Sequence, residues 1–408
     1  MNGRATFRNS VRFTQRIGVL AFAMAATALA DGSGGGALGV PVFTNEVEGA
    51  LVRAFTGLRE QGLRTAMHEV DNMLARNPNY RLGHLIKGDL LMAHAGQPVA
   101  FASTAATLAS VAPLQDEARV RMKRYVDAPP VDYLPAPLLQ LSAHQSHALL
   151  IDTSRSRLFV YANDLGRPRY VTDFYISLGK NGVDKSREGD QKTPTGIYTI
   201  LSQKEKLPDF YGPGAYPLSY PNEWDQVNGR NGHGIWLHGT PSDTYSRAPW
   251  ATDGCIVLTN EDLARLAKYV DVSRTPVVIG QAVEWHAPNQ WEADREAFLK
   301  TFGKWRSDWE SLDTNRYLAH YSRDFRSKNR NFAAWSASKR KVNSGKSWVK
   351  VGVNDVSVFA YPGPEPLMMI TFEQDYRSNN LSAKTVKRQF WSREGGQWRI
   401  VHEVVVSS

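Results

Sequence analysis

The chain is poor in cysteine, with a single one, Cys255, among 408 residues. A disulfide needs two thiols, so an internal disulfide is excluded, and a lone cysteine is either a buried small apolar residue or a reactive thiol. The sequence also lacks an H-E-x-x-H segment and a cysteine-rich ligand set, which excludes the common zinc-binding patterns. We therefore expect neither a metal nor a cofactor.

Acidic residues are absent before Asp31, whereas four arginines precede it. An alanine-rich apolar run over residues 17–30 follows them and ends in the small-residue pattern Ala28-Leu29-Ala30. This order is typical of a cleaved secretory signal over residues 1–30. The alternative is an uncleaved membrane anchor, but the run is shorter than the ~20 apolar residues that span a bilayer. We therefore expect an exported protein.

The length and the charge set broad limits on the rest of the chain. A chain of 408 residues is too long for one compact core and predicts two or three domains. The formal net charge of +9 favours polyanionic partners, which include anionic wall polymers, lipid headgroups and nucleic acid. No nucleic-acid-binding module is recognisable, so we expect no nucleic-acid partner.

Residues 45–125 carry apolar positions at helical spacing, which predicts three or four short helices. Residues 62–96 resemble one tetratricopeptide-type hairpin, but a solenoid needs about three repeats, so we interpret the segment as a small helical region that packs on the next domain or on a second copy of the chain. Residues 126–145 contain four prolines and predict an extended connector.

Strand-like patterning begins near residue 146 and predicts a mostly β domain over residues 146–284. The runs His147–Asp152 and 157–161 flank a turn and predict a hairpin. Further short strands are expected over 170–177, 196–202, 234–237, 255–258 and 276–279. Residues 260–270 predict a helix with Asn260 as its N-cap.

Residues 286–408 predict an α+β domain, with helices over 291–321 followed by a series of strands. The strands are expected over 348–353, 356–361, 367–376, 382–392 and 398–405, with Glu394-Gly395-Gly396 as a hairpin turn. This order, together with the tryptophan-rich ending, resembles the SnoaL-like or nuclear-transport-factor-like cone. Its aromatics fall at core-like spacings, so packing is expected; glycan or anionic-polymer binding and homodimerisation are the alternatives. The basic run 339–341 is expected to be a solvated face.

The chemically informative residues are His238, in His-Gly-Thr, and Cys255, in Thr-Asp-Gly-Cys. Each stands at the end of a β-prone run beside a glycine, where a side chain can be presented in a cleft. A free thiol has a pKa of about 8.5, and a neighbouring histidine can shift it towards thiolate. The alternatives are that Cys255 is a buried small apolar residue and that His238 is a structural, hydrogen-bonded imidazole. Strand alternation places His233 on the opposite face from His238, so a loop or structural role is expected for it.

These residues resemble the L,D-transpeptidase catalytic domain, often called YkuD-type. A second block supports the resemblance, Ser177-Leu-Gly179 followed by Asp190-Gln-Lys-Thr-Pro-Thr-Gly196. The resemblance implies Cys255 as nucleophile and His238 as base. It places Gly254 at the oxyanion side. The residues that it implies for the substrate side are Trp236, Gly239, Thr240, Thr252 and Asp253.

Two positions depart from the family pattern. Many members carry Arg two residues after the cysteine, where this chain has Val257, and Asp253 replaces the usual His or Lys. Whatever that Arg does must therefore be absent or supplied elsewhere. Val257 is the reason to keep a wall-binding scaffold on an inactive catalytic fold as an alternative.

The resemblance implies an enzyme of the bacterial periplasm that acts on peptidoglycan stem peptides. The cysteine would form a thioester with a tetrapeptide stem, release D-alanine and pass the acyl group to an amine. With water as acceptor the same site is an L,D-carboxypeptidase. A wall-binding scaffold without activity is the remaining alternative. The three-part layout resembles a subgroup related to cell-shape L,D-carboxypeptidases.

Overall fold

The computed structural model of the protein describes residues 45–96, 105–130, 132–328 and 330–407. The expected signal peptide lies outside these residues. The chain divides into two compact units between Val126 and Asp127. No helix within the described ranges combines the length and apolar character needed to cross a membrane.

The first unit is helical, as its spacing predicts. Its helices are α1 (Glu46–Glu60), α2 (Leu63–Arg76), α3 (Arg81–His94) and α4 (Ala105–Val126). Asn45 caps α1 by accepting a hydrogen bond from the Val47 amide at 2.8 Å. Buried Arg121 donates to Glu48 at 2.8 Å and to Glu117 at 2.9 Å, so an ion-pair cluster joins α4 to α1.

The second unit opens with the β-rich part of the chain. Its strands in chain order are β1 (Leu134–Pro135), β2 (Leu138–Gln140), β3 (His147–Asp152), β4 (Arg157–Asp164), β5 (Arg167–Tyr175), β6 (Leu178–Gly179), β7 (Gly196–Thr199), β8 (Ala215–Pro217), β9 (Trp236–His238), β10 (Trp250–Thr252), β11 (Ile256–Val257), β12 (Pro276–Gly280) and β13 (Trp285–His286). Two helices accompany them, α5 (Glu223–Val227) and α6 (Asn260–Leu266). The expected β domain is confirmed.

A five-stranded sheet of order β5-β4-β3-β12-β7 is the frame of this domain. Strand β3 is buried on both faces, which explains its continuous apolar run. Leu149 and Ile151 join the core beneath the short strands β9 and β11, whereas Ala148 and Leu150 join a second core. The sheet therefore separates two packed layers.

The N-cap of α6 was predicted one residue too late. Thr259 is the cap, because its hydroxyl accepts the Asp262 amide at 3.1 Å. Asn260 instead accepts the Thr240 amide at 2.9 Å, and so ties the helix to the chain after β9.

The C-terminal part is α+β, as expected. Its helices are α7 (Pro288–Glu310), α8 (Thr314–Leu318) and α9 (Phe332–Ser344), and its strands are β14 (Tyr321–Ser327), β15 (Arg330–Asn331), β16 (Val349–Ala360), β17 (Leu367–Ser378), β18 (Leu381–Glu394) and β19 (Gln397–Ser407). The sheet has the order β15-β14-β19-β18-β17-β16-β2. The Gly395-Gly396 hairpin turn is confirmed, because both glycines have positive φ angles.

Three sequence expectations for this domain need correction. The expected strands over 348–353 and 356–361 are one strand, β16, because an irregularity between Asn354 and Ser357 bends it without ending it. Helix α9 was missed, since its basic and small residues hide an apolar stripe. Within it, Arg340 and Lys341 are exposed as expected, but Lys339 is only partly exposed: its ammonium lies 4.3 Å from the Trp335 ring centroid and 5.5 Å from that of Trp309.

Most aromatics of this domain pack in its core, as their spacing predicts, although Trp348 is exposed. Phe298, Phe302, Trp305 and Trp309 of α7 are all buried. The same interior holds buried Glu403, which accepts hydrogen bonds from Lys387 at 3.0 Å and from Gln389 at 2.7 Å. Burial raises the pKa of Glu403, but the charges of Lys387 and Lys339 outweigh burial and hold this pKa below its ordinary value.

The proline-rich segment is only partly a connector, because it supplies two short strands. Strand β1 pairs with β13, and β2 pairs with β16 at the edge of the C-terminal sheet. Edge positions tolerate proline because one side of an edge strand needs no hydrogen-bond donors. The prolines therefore restrict where the segment can pair without preventing pairing.

The two domains of the second unit share a core. Phe159 and Val278 of the five-stranded sheet pack with Phe359 and Phe390 of the C-terminal sheet. Further contacts cross this boundary between the two domains, which we call the seam. The Asn222 side-chain amide donates to the Tyr361 hydroxyl at 2.9 Å, and Arg388 binds Glu223 at 2.8 Å. The Trp224 ring stacks on that of Phe390, with 5.4 Å between their centroids. A shared apolar core favours a fixed orientation of the two domains.

Candidate active site

Two short parallel strands position the histidine and the cysteine. In the β9–β11 pair, Leu237 lies opposite Ile256 and His238 lies opposite Val257. Leu237 and Ile256 point into the core and are fully buried. Because side chains alternate along a strand, His238 projects from the other face, and Cys255 directly precedes Ile256 at the start of β11. The cysteine therefore lies one residue before the Leu237–Ile256 pair and the histidine one residue after it, at neighbouring positions of the two strands.

His238 is held in one tautomer by its own backbone. Its Nδ1 lies 2.7 Å from the carbonyl oxygen of Gly239, which can only accept, so Nδ1 carries the proton and Nε2 the lone pair. The ring centroids of Tyr211 and Phe210 lie 5.1 Å and 5.9 Å from that of the imidazole. Burial, with a smaller effect from the charge of nearby Arg247, lowers the pKa of His238 to about 4, although the Gly239 carbonyl acts in the opposite direction. The imidazole is therefore neutral near pH 7 and available as a base.

The thiol of Cys255 is partly exposed and protonated at rest. Its sulfur lies 3.4 Å from the Gly234 carbonyl oxygen, to which the S–H donates. Burial raises the pKa of Cys255 above its ordinary value, while the Trp236 amide and the charge of Arg247 lower it. The resting pair is thus a thiol beside a neutral imidazole, whereas the sequence favoured a shift towards thiolate.

The turn before the thiol requires glycine. Gly254 has a φ of +122°, and a Cβ there would lie 2.7 Å from the Lys192 carbonyl oxygen. Its amide donates to the Thr252 hydroxyl at 3.1 Å, and that hydroxyl donates to the Cys255 carbonyl at 2.7 Å. Because the Gly254 amide is already bonded, the Cys255 amide is the better candidate for the oxyanion side.

Thr193 connects the second sequence block to this turn. Its buried hydroxyl accepts the Gly179 amide at 2.9 Å and donates to the Gly254 carbonyl at 3.1 Å. Asp190 supports the same loop by accepting hydrogen bonds from the Lys185 ammonium and from three backbone amides. Burial raises the pKa of Asp190, but these hydrogen bonds outweigh burial and hold this pKa at about 2. Both residues were in the quoted block, but their hydrogen bonds could not be read from it.

The remaining predicted site residues surround the pair unevenly. Gly239 and Thr240 are buried next to His238, and the Thr240 hydroxyl has no hydrogen-bond partner among the described residues. Trp236 is partly exposed, with its ring 5.0 Å from that of Tyr211. Asp253 is exposed and accepts from Lys180 at 2.9 Å and Gln191 at 3.1 Å. Their roles towards a substrate, and that of Thr252, remain predictions.

His233 stands apart from the pair. It is exposed in the loop before β9, and its Nδ1 lies 3.6 Å from a Glu188 carboxylate oxygen. Among the described residues, one group could bind a metal ion, His144, Asp355 and Glu373, whose ligand atoms lie within 4.8 Å of one another. This group contains neither His238 nor Cys255, and two of its three members are exposed, which is common without an ion.

Two known protein families match parts of the chain. Residues 146–279 match the family described as the L,D-transpeptidase catalytic domain. They are an L,D-transpeptidase catalytic domain. Residues 297–404 match the Cds6 C-terminal NTF2-like domain. The family of the first domain comprises peptidoglycan-acting L,D-transpeptidases and carboxypeptidases.

Solved structures resemble about two thirds of the chain. Bd1075 of Bdellovibrio bacteriovorus is 26% identical, with 68% of this chain and 99% of that chain covered and a TM-score of 0.61. The helical cell shape determining protein Pgp2 from Campylobacter jejuni is 27% identical, with 66% and 95% covered and a TM-score of 0.57. No curated protein matches the sequence.

The structure bears on one departure from the L,D-transpeptidase pattern, the valine at position 257. Val257, where many members carry Arg, is buried opposite His238. A cation nevertheless reaches the site, because the charge of Arg247, in the loop before β10, acts on both Cys255 and His238. Sequence reasoning missed Arg247, since it lies eight residues before the cysteine in a loop without a recognisable pattern.

Proposed function

We propose that the protein is an exported enzyme that cleaves tetrapeptide stems of peptidoglycan through Cys255 and His238. The observation that carries this proposal is that the paired strands β9 and β11 bring the only cysteine, which is partly exposed, and a buried histidine to neighbouring positions. The match of residues 146–279 to the L,D-transpeptidase domain supports the choice of substrate class.

The first half-reaction would form a thioester. Nε2 of His238 takes the proton of the Cys255 thiol as the sulfur attacks the carbonyl on the L-centre side of the scissile bond. The Cys255 amide faces the developing oxyanion. The imidazolium then gives its proton to the leaving nitrogen, the C–N bond breaks, and D-alanine departs.

The second half-reaction would remove the acyl group. An amine of a second stem attacks the thioester, loses its proton to His238, and the thiol regains a proton as the C–S bond breaks. We propose an amine as the acceptor, which gives a cross-link. Water as acceptor would give a shortened stem by the same steps, and the alternative is therefore an L,D-carboxypeptidase.

The proposal is tested with isolated sacculi and purified tetrapeptide muropeptides. We expect wild-type protein to release D-alanine and to form new 3-3 dimers, whereas Cys255→Ala and His238→Ala should release none. His233→Ala is the matched control, because His233 is exposed outside the pair and its removal should leave the rate unchanged. Release of D-alanine by Cys255→Ala would refute the proposal. Shortened stems without dimers would instead identify water as the acceptor.

A separate measurement tests the alternative that the protein is a scaffold without activity. A carbapenem should acylate wild-type protein, and intact mass should place the adduct on Cys255. A dead pocket should stay unmodified. This measurement is independent of the natural acceptor.

We further propose that the enzyme contributes to cell shape, because its relative Pgp2 is a helical cell shape determining protein of Campylobacter jejuni. Changed cell curvature after deletion, restored by wild-type protein and not by Cys255→Ala, would support it. Unchanged curvature would contradict it.

A further inference from the structure

The loop between β9 and β10 carries Arg247 to the edge of the proposed active site on a fixed main chain. The Tyr175 hydroxyl donates to the Arg247 carbonyl oxygen at 2.8 Å, and the Leu178 amide donates to the carbonyl of Pro249 at 2.8 Å. Ser177, between those two donors, pairs with Val257, two residues beyond the cysteine. The backbone of Arg247 is therefore attached to the strand that presents the thiol.

The side chain of Arg247 is supported by an aromatic ring. Its guanidinium carbon lies 4.9 Å from the ring centroid of Phe210, whose ring lies 5.9 Å from that of His238. Phe210 is 50% exposed, so its apolar surface is available beside the imidazole. An aromatic face orients a guanidinium while leaving its N–H edge open to a ligand.

The guanidinium of Arg247 has no hydrogen bond or ion pair to any side chain within the described parts of the chain. Other partly or fully buried arginines of this unit do have carboxylate partners: Arg157 binds Asp173, and Arg388 binds Glu223. The acidic side chain closest in sequence to the thiol, Asp253, already accepts from Lys180 and Gln191. Burial lowers the pKa of Arg247, which an anionic partner would reverse.

We propose that Arg247 binds the free terminal carboxylate of the D-amino acid that the enzyme releases. The proposal rests on the proposed function, because it assigns a recognition role to a residue of the same site. Guanidinium and carboxylate match as a bidentate pair, and the terminal carboxylate lies about one residue, roughly 3.8 Å, beyond the scissile bond. Arg247 would thus supply from a loop a cation that position 257 lacks.

A comparison of two substrates tests this role. The substrates are a tetrapeptide stem that ends in D-alanine and the same stem ending in D-alanine amide, and the proteins are wild type, Arg247→Lys and Arg247→Met. For wild type we expect kcat/KM to be about 100-fold higher with the acid than with the amide, as expected for a charge-assisted hydrogen-bond pair. Arg247→Met should lose that preference, and Arg247→Lys should keep part of it.

The preference ratio is the readout, because Arg247 also affects the pKa of Cys255 and could change both rates together. Arg316→Met removes one exposed arginine of the C-terminal domain and should leave the ratio unchanged. An Arg247→Met protein that still prefers the acid as strongly as wild type would overturn the Arg247 proposal alone. A wild-type protein that releases nothing from either stem, and takes up no carbapenem, would overturn the proposed function and this inference with it.

Discussion

The L,D-transpeptidase domain and the C-terminal domain are built from strands of very different length. The strands around the candidate site, β8 to β11, have two or three residues each, whereas β16 to β19 have 11 to 14. Long strands hold their register through many backbone hydrogen bonds. Short ones depend on side chains such as Thr193 that cross between loops. The site is therefore more sensitive to single substitutions than the domain beside it.

The two domains also differ in how they treat charge. In the C-terminal interior, Glu403 is bonded to Lys387 and Gln389, so the buried carboxylate has its partners within the fold. At the candidate site, Arg247 and the Thr240 hydroxyl have no such partners among the described residues. The buried charge of Glu403 is therefore paired within the fold, whereas the charge of Arg247 is left open to a ligand.

The largest expected effect comes from a glycine-to-alanine substitution at the candidate site, compared with the same substitution in the C-terminal domain. Gly254→Ala should lower kcat/KM about 1000-fold, because it strains a positive φ and displaces the turn that aims the thiol and the Cys255 amide. Gly303→Ala, in α7 with no atom within 4 Å of the added Cβ, should leave activity unchanged and raise stability by about 0.5–1 kcal/mol. Equal losses in both variants would refute the contrast between the domains.

A core substitution at the seam tests whether the domains unfold together. Phe390→Ala should cost about 3–5 kcal/mol, because Phe390 is fully buried in the shared core. Tryptophan fluorescence reports mainly the C-terminal domain, and labelling of the only cysteine reports the L,D-transpeptidase domain. We expect the variant to shift both denaturant transitions equally. A shift of the fluorescence transition alone would show that the domains unfold independently.

The pH dependence of thiol alkylation tests the resting state of the pair. Because the pKa of Cys255 is raised, the rate with iodoacetamide should keep rising above pH 8.5, the ordinary region for a thiol. The urea-unfolded chain is the control and should follow the ordinary pKa. In turnover, the neutral form of His238 should be lost only as the pH falls through about 4. A folded-state alkylation midpoint below the unfolded one would instead indicate a thiolate–imidazolium pair.

The smallest effect is expected at a polar contact of the seam. Arg388→Met removes a partly buried, two-bond contact with Glu223 and should lower the free energy of unfolding by about 1 kcal/mol. Arg377→Met, which removes an exposed ion pair with Asp375 on the same sheet, is the matched control and should not change it measurably. Equal effects of the two variants on the free energy of unfolding would show that Arg388 at the seam contributes no more to stability than an exposed ion pair.

The sequence determined the chemistry-bearing residues and most of the element order. The lone cysteine, the histidine before Gly-Thr, the hairpin of β3 and β4 and the strands of the C-terminal sheet follow from local periodicity and composition, which act over a few residues. The helix α9 escaped because its pattern is weakly apolar. The cap of α6 was misplaced by one residue because Thr259 and Asn260 are both good N-caps.

Tertiary structure alone decided how those residues are used. The placement of Arg247 on Phe210, the two hydrogen bonds of Thr193 and the burial that keeps His238 neutral each join segments far apart in the chain. Such contacts leave no periodic signal, because they depend on where loops end in space. The contact of Lys339 with the Trp309 ring and the pairing of the proline-rich segment with β16 were decided in the same way, by packing against a ring or strand distant in the sequence.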